Sequence, residues 1–284
     1  MVQQLQPVQK TQPAQPSKKQ LSVTWEALPE DFVLPDEPVE NIQQPPLAAA
    51  LTDALGAAGR IQPQMLIGSN FGLVATVRGK TVVKAPDWFY IPQVNPVAPE
   101  VIRRSYTPNL EGLSVAVVME FLSETDCAEL SIRSTPPYGK LYFYEHILQV
   151  PTYVTYDPHD GSLEVRTWSE GRYTLQEVDE NRRQWIPELE LFLGIWRGER
   201  LGQNINWLRW WDRQGNMLLW SSEQAQQEKA RAEQENARAE QEKARAEQEK
   251  ARAEQQEALA EKEKDRAELL AAKLRELGVD PNQL

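Results

Sequence analysis

Two acidic residues and one lysine in this 284-residue chain have the types and the spacing of a metal-dependent phosphodiesterase site. Asp87 follows Pro86 at the end of an extended apolar run, and Glu120 ends a second, mostly apolar run; Lys140 comes shortly afterwards. Carboxylate oxygens hold Mg²⁺, commonly one or two of them with water completing the shell. The metal polarises a phosphate and activates a water molecule, and a lysine stabilises charge on the phosphate. The pattern therefore predicts phosphodiester hydrolysis.

Each of these residues also has a structural interpretation. A Pro-Asp pair is typical of a turn, so Asp87 alone identifies nothing. An acid such as Glu120 at the end of an apolar strand is costly to desolvate without a partner. Lys140, in the first turn of a helix, is unfavourable against the helix dipole unless it is exposed or faces an anionic site. A structural ion pair between Glu120 and Lys140 is the alternative to a catalytic site.

The elements that position these residues alternate between helix and strand. Alanine and leucine at helical spacing after Pro45 and Pro46 predict a helix over 47–58. The continuously apolar strand at 115–120 is typical of a strand covered on both faces. The remaining predictions are β-rich segments 65–77 and 80–91 with a turn at 78–79, a helix from Thr135 to Gln149 with Pro136 as its first residue, a strand 153–156, and strands 163–168 and 173–178.

Tryptophans concentrate between Trp185 and Trp220. Segments 207–211 and 217–220 flank a turn-forming stretch at 212–216, which predicts a β-hairpin. Aromatic residues on such a hairpin either pack across strands onto a core or stack on unpaired bases. Packing is the predicted interpretation, and stacking on unpaired bases is the alternative.

Residues 228–255 form four heptads rich in alanine, glutamine, glutamate and basic residues. Helix propensity is high, and pairs such as Arg231–Glu235 and Lys243–Glu247 add support at i,i+4 spacing. The alanine and glutamine seam is a weak coiled-coil core. Real apolar spacing appears only at Ala267, Leu270, Leu274 and Leu277. The helix is therefore predicted to be either a solvated spacer or a spacer whose end contacts a second copy of the chain or a protein partner.

Composition excludes several classes of protein. The net charge is −11, with 19 basic and 26 acidic residues before Ser222 and 12 and 16 from there on, so a protein that coats nucleic acid non-specifically is not expected. Any nucleic-acid groove must be local. The single cysteine, Cys127, excludes an internal disulfide framework and a multi-cysteine zinc site. No apolar run is long enough to span a membrane, and we expect a cytoplasmic protein.

The stretch from about Glu40 to Pro158 resembles the Uma family of restriction-type endonucleases, within the PD-(D/E)xK nuclease superfamily. Four motifs in order carry the resemblance: Pro86-Asp87 for the PD element, Glu120-Phe121-Leu122-Ser123 for the E-x-L-S block, Lys140 with Tyr144 for the K-x3-Y helix, and Val150 to Pro158 for the strand that follows. The resemblance implies an α/β fold with a restriction-endonuclease-like αβββαβ core and DNA as the substrate.

Two departures from the superfamily pattern affect the expected site. The lysine usually stands two residues after the second acid, where this chain has Leu122. The resemblance implies that Lys140 replaces it, with Tyr144 orienting it one turn later. The family's acidic and histidine positions before the first helix are also changed, and Glu40 is the candidate for an additional metal-side carboxylate. The expected metal ligands are thus Asp87, Glu120 and Glu40, with Mg²⁺ or Mn²⁺.

The predicted organisation has five parts, listed from the amino end: a disordered Gln/Pro-rich arm over 1–21, a nuclease-like domain over 22–198, a Trp-rich β-hairpin extension over 199–222, a heptad-repeat helix over 223–279, and a tail over 280–284. The predicted function is a metal-dependent DNA endonuclease. The alternative is a catalytically silent nuclease-fold binding or scaffold protein that acts through its Trp-rich hairpin and C-terminal helix.

Overall fold

The computed structural model describes residues 21–32, 42–122 and 130–276. Glu40, most of the predicted N-terminal arm and the predicted tail lie outside these ranges. The chain divides into two units at Ser222: a mixed α/β unit, and a second unit formed by most of the C-terminal helix. The α/β class and the long C-terminal helix are as the sequence predicts.

A six-stranded sheet forms the centre of the first unit, and its strands run in the order β10-β9-β8-β7-β5-β2. Only the pair β7 and β8 is parallel, as expected for two strands joined by a helical crossover. The strands are β2 (Leu66–Gly68), β5 (Trp88–Ile91), β7 (Val117–Phe121), β8 (Thr152–Asp157), β9 (Ser162–Ser169) and β10 (Arg172–Leu175).

The two faces of this sheet bury different layers. One face packs on helix α1 (Gln44–Ala57) and on a three-stranded antiparallel sheet. That sheet contains β11 (Gln184–Ile186), β12 (Leu191–Arg200) and β13 (Gln203–Trp211). The other face packs on a second cluster of buried residues, which is called the inner layer below and contains Leu73, Phe89, Val118, Phe143 and Tyr153. Strand β7 is buried along its whole length, as its apolar sequence predicts.

A smaller sheet covers the inner layer. It consists of β1 (Val23–Thr24), β3 (Gly72–Val77), β4 (Lys80–Lys84) and β6 (Ser105–Tyr106). Arg78 and Gly79 both have positive φ and form the tight turn between β3 and β4. The two β-rich segments expected from the sequence are therefore each broken, and their halves belong to different sheets. The Asn70 N–H donates to the Pro86 carbonyl and ties the two breaks together.

The helix predicted from Thr135 begins later than expected. Helix α2 covers only Lys140–Tyr142 and continues as a π-helix over Phe143–Leu148. Two consecutive prolines explain the error, because a residue that precedes proline is disfavoured in helical backbone and Pro136 precedes Pro137. Gly139, in extended backbone, marks the start of the helix.

The Trp-rich hairpin is also built from different strands than expected. Strands β12 and β13 pair over their full length around a turn at Leu201 and Gly202, so the boundary placed at 198/199 falls within β12. Residues 212–216 do form a turn, but the returning segment makes only the bridge from Trp211 to Met217 before the C-terminal helix begins. Trp220 instead packs into the core and donates its indole N–H to the Ala50 carbonyl.

Burial decides between the two interpretations of the tryptophans. Trp207, Trp210 and Trp220 are almost fully buried, and the Trp210 indole donates to the Leu51 carbonyl of α1. Side chains in this state are core components, which supports packing over stacking on bases.

Helix α3 (Ser221–Glu276) has 56 residues and extends about 84 Å at 1.5 Å per residue. The predicted pair Arg231–Glu235 forms at 3.1 Å, and Arg245–Glu249 forms at 3.2 Å. Within the described ranges, no helix combines the length and the apolar character that crossing a membrane requires.

Candidate active site

Asp87 lies in the break between β4 and β5. Its side chain is 9% exposed, and its Oδ2 accepts a 2.6 Å hydrogen bond from the backbone N–H of Phe121. The first pair between β5 and β7 is Trp88 with Met119. Extending that antiparallel register by one residue places Asp87 opposite Glu120, and opposed residues on adjacent strands share a face of the sheet. By this register the two acids lie on the same face of the sheet, at one end of β7.

Glu120 is fully buried on the inner-layer face of β7. Alternation along the strand explains its direction, because Met119 and Phe121 belong to the α1 side while Val118 belongs to the inner layer. Both oxygens of Glu120 have partners. Oε1 accepts a 2.8 Å hydrogen bond from the Tyr144 hydroxyl, and Oε2 lies 3.2 Å from the Lys140 Nζ. These contacts make an ionised carboxylate tolerable in the interior.

Lys140 and Tyr144 reach the same carboxylate because they are four residues apart on one helix and share a face. Gly139 allows the helix to begin there, since a Cβ at this position would lie 2.1 Å from the Ser131 carbonyl oxygen. The family resemblance predicts that Tyr144 orients Lys140. In the structure its hydroxyl bonds to Glu120 instead, so its contact orients the carboxylate.

The hydroxyl of Tyr144 is held in its protonated form. Burial, followed by the charge of Glu120, raises the pKa of Tyr144 well above its ordinary value. Its ring lies 5.5 Å from that of Tyr153, which in turn stacks on Tyr173 at 5.5 Å. The row of aromatic rings holds the Tyr144 side chain in position, and its protonated hydroxyl donates to the Glu120 carboxylate.

The backbone of Phe121 is held on both sides at the same point. Its N–H donates to Asp87, and its carbonyl accepts a 2.8 Å hydrogen bond from Nε2 of Gln44, a buried residue in the first turn of α1. Gln44 therefore positions the end of β7. Helix α1 is thereby connected to the strand end that carries Glu120.

A row of polar residues, which the sequence alone does not reveal, continues from Glu120 across the sheet. Thr155 on β8 pairs in register with Glu120, and Glu164 on β9 pairs with Thr155. Arg166 donates a 3.0 Å hydrogen bond to the Thr155 hydroxyl and also forms an ion pair with Glu164. The arginine on the inner face of β9 could have indicated this row. Placing it in line with Glu120, however, requires the register between β7, β8 and β9.

Two carboxylates and one ammonium group define the charge of the site. Among the residues that the structure describes, no group of three or more His, Cys, Asp or Glu side chains is arranged to hold a metal ion. Asp87 and Glu120 are a pair, and Glu40, the expected third ligand, lies outside the described ranges. A pair of carboxylates fits Mg²⁺, which typically keeps several water ligands and uses one or two protein carboxylates.

Comparison with known proteins gives one finding on the family. Residues 30–201 match the family model "Uma2: Putative restriction endonuclease". The matched range contains Asp87, Glu120, Lys140 and Tyr144, and it ends before α3. A search of curated proteins found no match to the chain.

Proposed function

The chain belongs to the Uma2 family, and from this membership we propose that it is a Mg²⁺- or Mn²⁺-dependent DNA endonuclease in which Asp87 and Glu120 are the metal ligands. The observation that carries the proposal is the buried carboxylate of Glu120, which contacts both Lys140 and Tyr144 at the strand end where the Phe121 N–H donates to Asp87. In the same assignment, α1, β2, β5, β7, α2 and β8 correspond to the αβββαβ nuclease core.

The charge balance of the site supports a cation. Asp87 and Glu120 bring two negative charges into a region that is almost closed to solvent, and Lys140 brings one positive charge. Buried charges need compensation, because the interior solvates them poorly. Bound Mg²⁺ would supply that charge, polarise a phosphate and lower the pKa of a water molecule.

The protein's own groups have separate tasks in this proposal. Lys140 keeps 14% of its side chain exposed, so its ammonium group can move from Glu120 to a non-bridging phosphate oxygen and stabilise the charge that develops there. Tyr144 holds the Glu120 carboxylate in position. The Phe121 N–H does the same for Asp87. In the hydrolysis, the water oxygen bonds to phosphorus, one P–O ester bond breaks, and the water proton ends on the departing oxygen.

A nuclease-fold scaffold without catalysis is the second candidate, and one observation favours it. Glu120 already has a donor on each oxygen, which is what a purely structural ion pair would show. The two candidates differ in their response to metal and to nucleic acid. A scaffold predicts no metal-dependent cleavage, and loss of the ion pair should then affect stability alone.

The test is cleavage of supercoiled plasmid, linear duplex DNA, single-stranded DNA and RNA with Mg²⁺, Mn²⁺ or a chelator. We expect duplex DNA cleavage with metal and loss of that cleavage in Asp87→Asn and Glu120→Gln. Glu177→Gln, which changes an exposed acid, is the matched control. Absence of wild-type cleavage on every substrate would favour the scaffold, and equal cleavage by Asp87→Asn would assign the activity to another site or to a contaminant.

A further inference from the structure

A concave surface next to the site concentrates positive charge in an otherwise acidic chain. The cavity has a volume of about 580 Å³ and lies between strand β4 and residues 136–138, with Phe32 on its rim. Arg78, Lys80 and Lys84 contribute three cations to its lining, and none of its described lining residues is acidic. The chain as a whole carries a net charge of −11. This cavity is called the β4 groove below.

The three cations lack carboxylate partners among the described residues, whereas several other cations of the same unit form ion pairs. Arg103 pairs with Glu111, and Arg200 pairs with Asp53 at 2.9 Å. Arg78 and Lys80 are exposed, and Lys84 is half-buried. Cations that converge on a concave surface without partners create a local positive potential, which attracts an anionic ligand.

Strand register places this charge on the same side as the carboxylates. Residues 80, 82 and 84 share one face of β4, and that face pairs with Val77, Ala75 and Leu73 of β3. Those three β3 side chains belong to the inner layer, towards which Glu120 also points. The β4 groove and the candidate site therefore lie at the same layer of the fold.

The covalent chain limits the distance between the β4 groove and the candidate site. Lys84 precedes Asp87 by three residues, so their Cα atoms are at most about 11 Å apart, since a residue spans at most about 3.6 Å. Tyr138 precedes Lys140 by two residues, which limits that separation to about 7 Å. Each wall of the groove thus leads directly to one side of the Asp87, Glu120 and Lys140 cluster. Phosphates of one DNA strand recur every 3.4 Å along the helix axis, so both regions lie within a few nucleotides.

We infer that the β4 groove binds the sugar–phosphate backbone of duplex DNA beside the position of cleavage, with Arg78, Lys80 and Lys84 each contacting a phosphate. The inference rests on the proposed function and specifies how an acidic protein holds its substrate. The three cations of the groove lie on the path that leads to the carboxylates.

A peptide strand is the competing occupant, because β4 is an edge strand of its sheet among the described residues. Edge strands can accept an added strand through their free backbone groups. The chemistry of the groove favours DNA. Three cations within one short strand and its turn match a row of phosphates, whereas strand addition depends on backbone groups and apolar pockets rather than on converging cations.

The experiment measures binding without cleavage. A fluorescent duplex of about 20 base pairs is titrated with full-length protein in a chelator, at salt concentrations from about 50 to 200 mM. The test variant is Arg78→Gln/Lys80→Gln/Lys84→Gln. The matched control, Arg172→Gln/Arg182→Gln/Arg197→Gln, removes the same charge from exposed arginines on β10, the 179–183 turn and β12.

Three phosphate contacts account for a salt slope of about 2.7 on duplex DNA, which corresponds to about a 40-fold change in affinity over this range. We expect the groove variant to lose that amount of slope, and the control to keep the wild-type slope. Equal slopes in the two variants would overturn the inference, as would wild-type binding to an extended peptide but not to duplex DNA. If the groove variant loses slope while the wild type never cleaves with metal, the groove stands and the proposed enzymatic function fails.

Discussion

Replacing Lys140 with methionine separates a structural ion pair from a metal site. Methionine keeps an unbranched side chain of similar length but removes the ammonium group that lies 3.2 Å from Glu120 Oε2. Glu120 is fully buried, so its charge would then lose its nearest described cation. Removing one partner of a buried ion pair costs about 3–5 kcal/mol. Because Lys140 is 14% exposed, we expect the lower end, about 3 kcal/mol.

A change of that size is readily measured. For a unit of roughly 150–250 residues, 1 kcal/mol corresponds to a shift in Tm of about 2–4 °C, so Lys140→Met should lower Tm by about 6–12 °C in a chelator. The double variant Lys140→Met/Glu120→Gln removes both charges and keeps an oxygen that can accept from Tyr144. It should recover most of the loss, because neutral replacement of a buried pair is often close to neutral.

Divalent metal then distinguishes the two interpretations. If Asp87 and Glu120 form a metal site, Mn²⁺ supplies the missing positive charge and should raise the Tm of Lys140→Met more than that of the wild type. At 100 times Kd, binding adds about 2.7 kcal/mol. The double variant should not respond. If Lys140→Met unfolds at the wild-type temperature in a chelator, the charge argument is wrong; if metal has no effect on either protein, the pair is structural.

Three further predictions follow from individual contacts. Tyr144→Phe removes only the hydroxyl that donates to Glu120 and should lower the free energy of unfolding by about 1.5–3 kcal/mol, measured by urea denaturation; a change below about 0.5 kcal/mol would show that this hydrogen bond contributes nothing. Burial raises the pKa of Glu188 above 4.5 in the folded state, so the free energy of unfolding falls as pH rises from 4.5 through the folded pKa. At pH values above that range, Glu188→Gln should have a higher Tm than the wild type, and its Tm should depend less on pH. A Tm profile identical to that of the wild type would contradict this. Self-association through the C-terminal segment should depend on Leu270, Leu274 and Leu277 rather than on the alanine and glutamine heptads. Changing all three leucines to alanine should therefore give the same oligomeric state, measured by sedimentation, as a chain ending at Ser222. A leucine variant that stays associated while the shortened chain does not would show that the heptads form a true coiled coil.

Local patterns predicted those parts of the site that depend on one element at a time. The apolar run at 115–120 gave a fully buried β7, and i,i+4 spacing brought Lys140 and Tyr144 to the same carboxylate. The predicted start of α2 was wrong, because Pro137 disfavours helical backbone at Pro136. The preference for proline in the first turn of a helix does not take the following residue into account.

Features that depend on pairing between distant strands were not predictable. The break at Pro86 sends β4 into one sheet and β5 into another, and the resulting position of Asp87 follows from its contact with Phe121, 34 residues away. Arg166 reaches the site only through the registers of β7, β8 and β9. The β4 groove likewise requires residues 136–138 to lie beside β4. Such registers arise from the packing of whole layers, and no local sequence window contains them.

The most direct test of the site is a titration with Mn²⁺, in which free Mn²⁺ is measured by electron paramagnetic resonance in wild type, Asp87→Asn, Glu120→Gln and Glu177→Gln. The account predicts saturable binding by the wild type and by the Glu177→Gln control. It predicts loss of that binding in Asp87→Asn and in Glu120→Gln, since each change removes one of the two proposed ligands. Equal Mn²⁺ binding by all four proteins, or none by the wild type, would contradict the assignment of Asp87 and Glu120 as a metal site.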